Sequence, residues 1–419
     1  LKAISAAFLT ALIAILAAVG MMGAAGYMGV IINAVTSNAP LMLFILSIAH
    51  CVHIISTQRQ QMRSGIEKKD AIIESLRVNL QPVFITSATT AVGFLSMHFS
   101  DSPPFRELGY MLAAGNLIAF VNAVLVLPAL LAILPAKVQQ KETYFSKSLM
   151  EKLSNFVIVK QKMLLPVSSI VIVCLLLGIT NIKLDDTWTT YFDKQFEIRA
   201  HSDFLEDNLT GLNAIEYSVP AGEDGGINNP TYLANLDKFA NWYRTQEGVN
   251  HVSVVSDTIK RLNKAMNNDD ETFYKIPESQ ELAAQYLLLY ELSVPFGLDL
   301  NSSINVSKSA TRMTVSVQHA SSAHLRSLDA KAQVWLSENI PEFKTVGSGL
   351  SVIFAHLSER NINSMLFGSF MALVIISLIL IFALKSLPIG LMSLVPNLFP
   401  AAMAFGLWGY LVGEVGIAI

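Results

Sequence analysis

The sequence predicts a polytopic α-helical membrane protein with one external α+β domain, and three observations carry that prediction. Of 419 residues, 52% are hydrophobic and only 15% charged, too apolar a balance for an ordinary soluble protein. Charge-free stretches of about 20 residues or more recur along the chain, each long enough to cross a hydrocarbon core. Residues 183–360 break the pattern: they hold 24 of the 32 acidic and 15 of the 29 basic residues, a net of −9 that leaves +6 for the rest. This balance argues against a nucleic-acid binder, a disordered scaffold and a soluble enzyme.

The first apolar window is too long for one span and is interrupted by Asn33, Ser37, Asn38 and Pro40, so it divides into helices over 4–27 and 40–58. Further spans follow over 82–98, 108–134, 163–180, 362–383 and 387–412, seven in all. The domains are then a transmembrane bundle over 1–135, a cytoplasmic connector over 136–162, a span over 163–182, an external α/β domain over 183–360, and two more spans over 361–419. Leu1-Lys2 runs straight into the first apolar segment, so the chain reads as part of a longer one.

Charge assigns the sides. Outside 183–360, 13 of the 14 basic residues fall in four places: Lys2; Arg59, Arg63, Lys68, Lys69 and Arg77; Lys137, Lys141, Lys147, Lys152, Lys160 and Lys162; and Lys385. Counting spans puts all four on one side, which the positive-inside rule makes the cytoplasm. The expected location is a multi-pass protein of the cell (inner) membrane with 183–360 on the external, periplasmic side. In the connector, Leu149, Met150, Leu153, Phe156 and Val157 recur at helical spacing, which suits a helix lying on the inner membrane surface or a plain solvated linker.

Sliding the chain on itself by 383 residues lays Leu384-Lys385 on Leu1-Lys2 and Gly406-Leu407-Trp408-Gly409-Tyr410-Leu411 on Gly23-Ala24-Ala25-Gly26-Tyr27-Met28. A period of that size means duplication of a whole half, as in secondary transporters. On this reading the chain begins inside the first half and stops inside the second.

Within 183–360, residues 213–220 alternate like a strand, 230–245 carry Leu233, Leu236, Phe239, Trp242 and Tyr243 at helical spacing, and 251–255 read as a strand. A second strand-helix-strand copy is expected over 312–318, 322–339 and 343–346, with a helix over 279–292 between the copies. His201, His251, His319 and His324 lack any nucleophile or HExxH context, and Cys51 and Cys174 form neither a disulfide framework nor a CxxC site. No motif implies a cofactor or a metal.

Residues 84–96 (FITSATTAVGFLS), Glu107-Leu108-Gly109-Tyr110 with Gly115-Asn116 and Leu127-Pro128-Ala129-Leu130-Leu131, and Asp185-Asp186 with Tyr191-Phe192 resemble the resistance-nodulation-division (RND) superfamily, in particular the MmpL and Patched-like, sterol-sensing exporters. The resemblance implies an RND-type half-repeat, with the seven spans as the family's third to ninth and 183–360 as a porter-like domain. It further implies export of hydrophobic or amphiphilic, lipid-like molecules by proton antiport.

His50 and His53 lie three residues apart in the second span, and ionisable groups at membrane depth usually line a bundle interior or a water path. The resemblance places a proton-relay acid near here with a histidine one turn on. His53 matches that histidine, whereas Ala49 and His50 stand where the acid is expected. Either His50 replaces the acid as proton relay, or this half has lost its relay, or both imidazoles simply fill hydrogen bonds. Ser47, Thr86, Ser87, Thr89, Thr90, Asn116 and Asn122 are candidates to line the same water path, or to help the helices pack. The function expected is a proton-coupled transporter. The alternatives are a non-pumping sterol-sensing-type regulator and a protein-translocation helper. Partners expected are the lipid bilayer and an amphiphilic substrate, together with a second copy of the chain or a periplasmic accessory protein.

Overall fold

The computed structural model describes residues 2–134, 144–185, 187, 191–295, 299–392 and 394–416, and it divides into two compact units. The first comprises Leu1–Lys183 with Arg360–Glu414, the second Leu184–Glu359 with Val415–Ile419. Among the described residues, seven helices are long and apolar enough to cross a membrane: Ala6–Tyr27, Thr36–Arg63, Lys68–Phe99, Pro103–Ile133, Leu149–Asn181, Leu350–Leu384 and Leu387–Leu411. Each matches one span read from the sequence to within two residues or runs beyond it, the longest extensions being those of Lys68–Phe99, Leu149–Asn181 and Leu350–Leu384, where polar turns continue the helix past its apolar stretch.

In the first unit, α1 (Lys2–Tyr27), α2 (Ala39–Arg63), α3 (Lys68–Leu95) and α4 (Pro103–Val121) form a four-helix bundle. The fourth span continues through a π turn, Asn122–Val126, into α5 (Leu127–Ile133). Two apolar clusters fill the bundle: one around Leu9, Ile13, Cys51, Ile54 and Leu127, the other around Ala17, Met21, Leu43, Met111 and Leu112. Lys68 closes one end, its Nζ donating to the carbonyls of Ala132 (2.6 Å) and Leu134 (2.7 Å), which the helix terminus leaves without N–H partners.

The surface helix and fifth span expected on either side of residue 162 are one continuous helix, α6 (Tyr144–Leu177), because nothing between Lys160 and Met163 breaks the backbone hydrogen bonding. Lys137 and Lys141 lie outside the described residues. The last spans are α12 (Leu350–Leu384) and α14 (Leu394–Leu411), joined through the short α13 (Leu387–Met392). α14 crosses the α6 span with its glycines against backbone: a Cβ on Gly406 would stand 1.8 Å from the Leu175 carbonyl oxygen, and one on Gly409 2.0 Å from that of Gly178. The Tyr410 hydroxyl donates to the Cys174 carbonyl at 2.8 Å beside this crossing. At the opposite flank, Asp101 pairs with Arg360 (3.1 Å), Ser100 bonds Asn361, and Gly368 lets α12 approach the Ser96 carbonyl.

The second unit holds a three-stranded antiparallel sheet. Strands β1 (Asn213–Pro220) and β2 (Val249–Ser253) flank β3 (Ala310–Val317), which is antiparallel to both. The alternation seen in the sequence points Ile215, Tyr217 and Val219 of β1 and Met313, Val315 and Val317 of β3 into the core, with Ile215 opposite Val315 and Tyr217 opposite Met313. Helices α8 (Pro230–Arg244) and α11 (Ser322–Asn339) supply Leu233, Leu236, Phe239, Leu325, Leu328 and Leu336 to that core. Both helices start on side-chain caps, Asn229 accepting from the Thr231 N–H and Ser321 from the His324 N–H. α7 (Glu197–Asn208), α9 (Val255–Met266) and α10 (Gln280–Ser293) complete the unit.

Two expectations need correction here. Val255 opens α9 rather than closing a strand. Residues 343–346 form no strand, so the second strand-helix-strand copy stops at its helix and the first copy opens to admit β3 as a split β-α-β arrangement. The physical cause is local. Phe343 turns inward against Tyr232, Asp329 takes the Gly347 N–H at 3.0 Å, and Gly349 adopts φ +100°, which leaves only Ser348 bridged to Glu216.

Candidate functional site: a polar track in the four-helix bundle

The buried face of α2 runs through Leu43, Ser47, His50, Cys51, Ile54, Ile55 and Gln58, a stripe at helical spacing. His50 sits inside that stripe and is 4% exposed. His53 does not. It lies about 60° around the helix from His50, turned off the edge of the stripe, and its side chain is exposed. The two histidines therefore do not share an environment, and the expectation that both face the bundle interior is corrected for His53.

α3 presents Ala71, Ser75, Asn79, Val83, Ser87 and Ala91 to the same interior, a strict repeat of four. Its Ser87 is the junction of the site. Ser87 Oγ lies 3.1 Å from His50 Nε2, and the Ser87 carbonyl accepts the Asn116 Nδ2–H from α4 at 2.7 Å. Asn116 is fully buried. Two atoms here have no hydrogen-bond partner among the described residues, His50 Nδ1 and Asn116 Oδ1. A buried polar atom left unpaired costs about 1–3 kcal/mol.

A second group of ties lies along the same two helices. Ser75 Oγ donates to the Ile54 carbonyl at 2.7 Å, and Asn79 Nδ2 donates to Thr57 Oγ1 at 2.9 Å and to the Ser75 carbonyl at 2.8 Å. Gln58 is buried beside them. These residues make two separate polar groups between the helices, Asn116, Ser87 and His50 in one and Ser75, Asn79 and Thr57 in the other, with buried Val83 and Ile54 between them along α3 and α2. Sequence reading missed Thr57, Gln58, Ser75 and Asn79, because they lie at or beyond the apolar windows that defined the spans. The repeat of four along α3 was the signal that could have found Ser75 and Asn79.

The other candidates stand apart. Ser47 is buried one turn from His50, but its hydroxyl is spent on the Leu43 carbonyl at 2.9 Å. Thr86 is exposed and lies about 100° around α3 from Ser87, off the buried 83–87–91 stripe. Thr89 bonds back to the carbonyls of Ile85 and Thr86, and Thr90 is half-buried. Asn122 is half-buried at the first position of the π turn, a feature that often marks functional places in helices. Among the described residues of the seven spans, His50 is the only buried side chain of the Asp, Glu, His, Lys and Arg set. Ala49, the other position at which the resemblance expects an acid, is exposed.

Residues 3–150, which contain this bundle, match the model of the MMPL family. A Methanocaldococcus jannaschii protein named as a membrane protein is 28% identical over 111 residues, a stretch that is 26% of this chain and 29% of that protein. The chain thus spans under a third of the relative it matches. With the seven apolar helices, these likenesses support an RND/MmpL-type membrane protein.

Proposed function

We propose, for this RND/MmpL-type membrane protein, that it exports hydrophobic or amphiphilic, lipid-like molecules and that His50 carries the coupled proton. The observation that carries the reading is the position of His50: among the described residues it is the one Asp, Glu, His, Lys or Arg side chain buried in the spans, joined to Ser87, with no hydrogen-bond partner for its second ring nitrogen. Histidine exchanges protons around neutral pH, which a coupling group must do as water access alternates between the two sides. Ser87 and Asn116 extend that group into a short line of donors and acceptors through which water can supply and remove the proton. Ala49 faces outward, so of the two positions where an acid is expected only 50 is placed to serve.

The test uses the full-length protein in proteoliposomes with an entrapped pH-sensitive dye and a short-chain fluorescent phospholipid as probe. Phospholipid movement driven by a proton gradient, lost in His50→Ala and partly kept in His50→Asp, supports the reading. Equal movement in His50→Asn, whose amide cannot change charge, overturns the relay. A regulatory, non-pumping protein is the second reading, favoured by the absence of any acid at 49–50. No gradient-driven movement of any probe, with the fold intact, selects it.

A further inference from the structure

Ser87 differs from other hydroxyls of the bundle in where it points. Ser47 and Thr89 turn back onto carbonyls of their own helices, four residues earlier, at Leu43 and Ile85 (2.9 Å each). Ser87 instead sets its Oγ 3.1 Å from His50 Nε2, across the interface between α2 and α3. Its own carbonyl takes the Asn116 Nδ2–H at 2.7 Å, which fixes the backbone from which that hydroxyl projects. All three residues are buried.

Counting donors and acceptors places the protons. A hydroxyl has one O–H to give, and a neutral imidazole has one N–H and one bare nitrogen. With the hydrogen on Nε2, that N–H would donate to Ser87 Oγ, and both the Ser87 O–H and the bare Nδ1 would lack partners among the described residues. With Nε2 bare, the Ser87 O–H donates to it, and only the Nδ1 N–H is without a partner among those residues. The second arrangement leaves one buried group fewer unpaired, and folded proteins keep such groups to a minimum. The charges of the helices packed on α2 lie toward their ends, the nearest being Arg77 on α3 and Glu107 on α4, each more than two turns from Ser87 or Asn116. On α2 itself the titratable neighbours are Cys51 and the exposed His53. Hydrogen bonding, not a neighbouring charge, therefore selects between the two arrangements.

We propose that Ser87 is the positioning residue that fixes neutral His50 as its Nδ1–H tautomer, so that Nε2, on the α3 side of the ring, is the nitrogen that takes up and returns a proton. Uptake adds the proton to the Nε2 lone pair, the ring becomes an imidazolium with an N–H on each nitrogen, and the O–H···N bond is exchanged for N–H···O. The Ser87 hydroxyl turns away in that exchange, and the Val83 carbonyl four residues back is the acceptor that a helix offers a serine. Loss of the proton reverses the turn. Rotation about one side-chain bond thus accompanies each change of charge, and the hydroxyl hydrogen has an acceptor in both states. The role in coupling rests on the function proposed above; the tautomer does not.

The test is solid-state NMR of the full-length protein, carrying isotope-labelled histidine, in lipid bilayers at about pH 8.5, two units above the ordinary histidine value. His50 is assigned as the ring signal missing from both His50→Asn and His50→Gln. Correlation through Cδ2 identifies Nε2, and correlation through Cγ identifies Nδ1. The expected result is a hydrogen on Nδ1 and a bare Nε2, in about tenfold excess over the other tautomer, the population equivalent of one fewer unpaired buried group. Ser87→Ala is expected to erase that excess, and Ser87→Thr, which keeps the hydroxyl, to restore it. A serine that merely packs would leave the tautomer unmoved. A hydrogen on Nε2 in the parent, with or without one on Nδ1, overturns the proposal, and so does a tautomer unchanged in Ser87→Ala. The parent spectrum is decisive even where a variant fails to fold. An Nδ1–H tautomer in a protein whose export survives His50→Asn supports the assignment and sinks the relay instead.

Discussion

Ser87 holds His50 with its side chain, at 3.1 Å from Nε2, and holds Asn116 with its backbone carbonyl, at 2.7 Å from Nδ2. One residue of α3 thus ties α2 and α4 by two chemically separate bonds. Ser87→Ala removes the first and leaves the second. The expected loss is about 1 kcal/mol, the scale of interhelical hydrogen bonds in membrane bundles. A lowered thermal midpoint for the detergent-purified full-length protein checks it, and an unchanged midpoint counts against the bond.

The His50 series separates titration from hydrogen bonding by its pH dependence. If His50 carries the proton, gradient-driven export in the parent depends on pH. His50→Asn then loses both rate and pH dependence, whereas His53→Ala, altering an exposed side chain, leaves both near the parent's. A His53→Ala variant as defective as His50→Ala would show that burial does not mark the coupling group.

Topology follows from charge. A reporter fused after Gln140, outside the described residues, is expected in the cytoplasm, and one fused after Gly225 on the external side. External activity at Gln140 would reverse the orientation of every span.

Residues 184–359 expressed alone are expected to fold as an α/β domain, since their core is built from their own strands and helices. Tyr217 donates to Asp329 at 2.7 Å and shares a 2.6 Å bond with Tyr243. Tyr217→Phe leaves those buried groups short of a partner and should cost about 1–3 kcal/mol in urea unfolding. Burial raises the phenols of Tyr217 and Tyr243 above the usual range and pushes that of Tyr232 up to about 12. A raised folded-state value means that stability is fully present below the unfolded phenol, near pH 10, and is lost as pH rises through the folded one. Alkaline unfolding of the domain is therefore expected to begin near pH 10. Full stability at pH 12 would contradict the buried phenols.

The α6–α14 crossing is tested by Gly409→Leu. Its Cβ would fall 2.0 Å from the Gly178 carbonyl oxygen, so the helices must separate, at a cost of about 2 kcal/mol or more. Gly93→Leu, where a Cβ meets nothing within 4 Å, is the matched control. Equal thermal midpoints for the two variants would show that the crossing does not contribute to stability.

The sequence by itself determined the spans and the inward faces of β1 and β3, because hydrophobicity over about 20 residues and alternation over eight are local properties of the chain. It also set 183–360 apart as the charge-rich stretch and picked out His50, since a titratable residue in an apolar run is conspicuous wherever it folds. Tertiary structure decided the rest. Spacing alone put His50 and His53 near one side of α2, and only the placement of α3 and α4 buried the first and left the second exposed. Ser75 and Asn79 tie α3 to α2 through Ile54 and Thr57, 21 and 22 residues away, which no window along the chain reports. The strand expected at 343–346 failed for the same reason. Its β propensity was real, but a side chain 18 residues earlier, Asp329, took the backbone donor of Gly347 that continued pairing would have used.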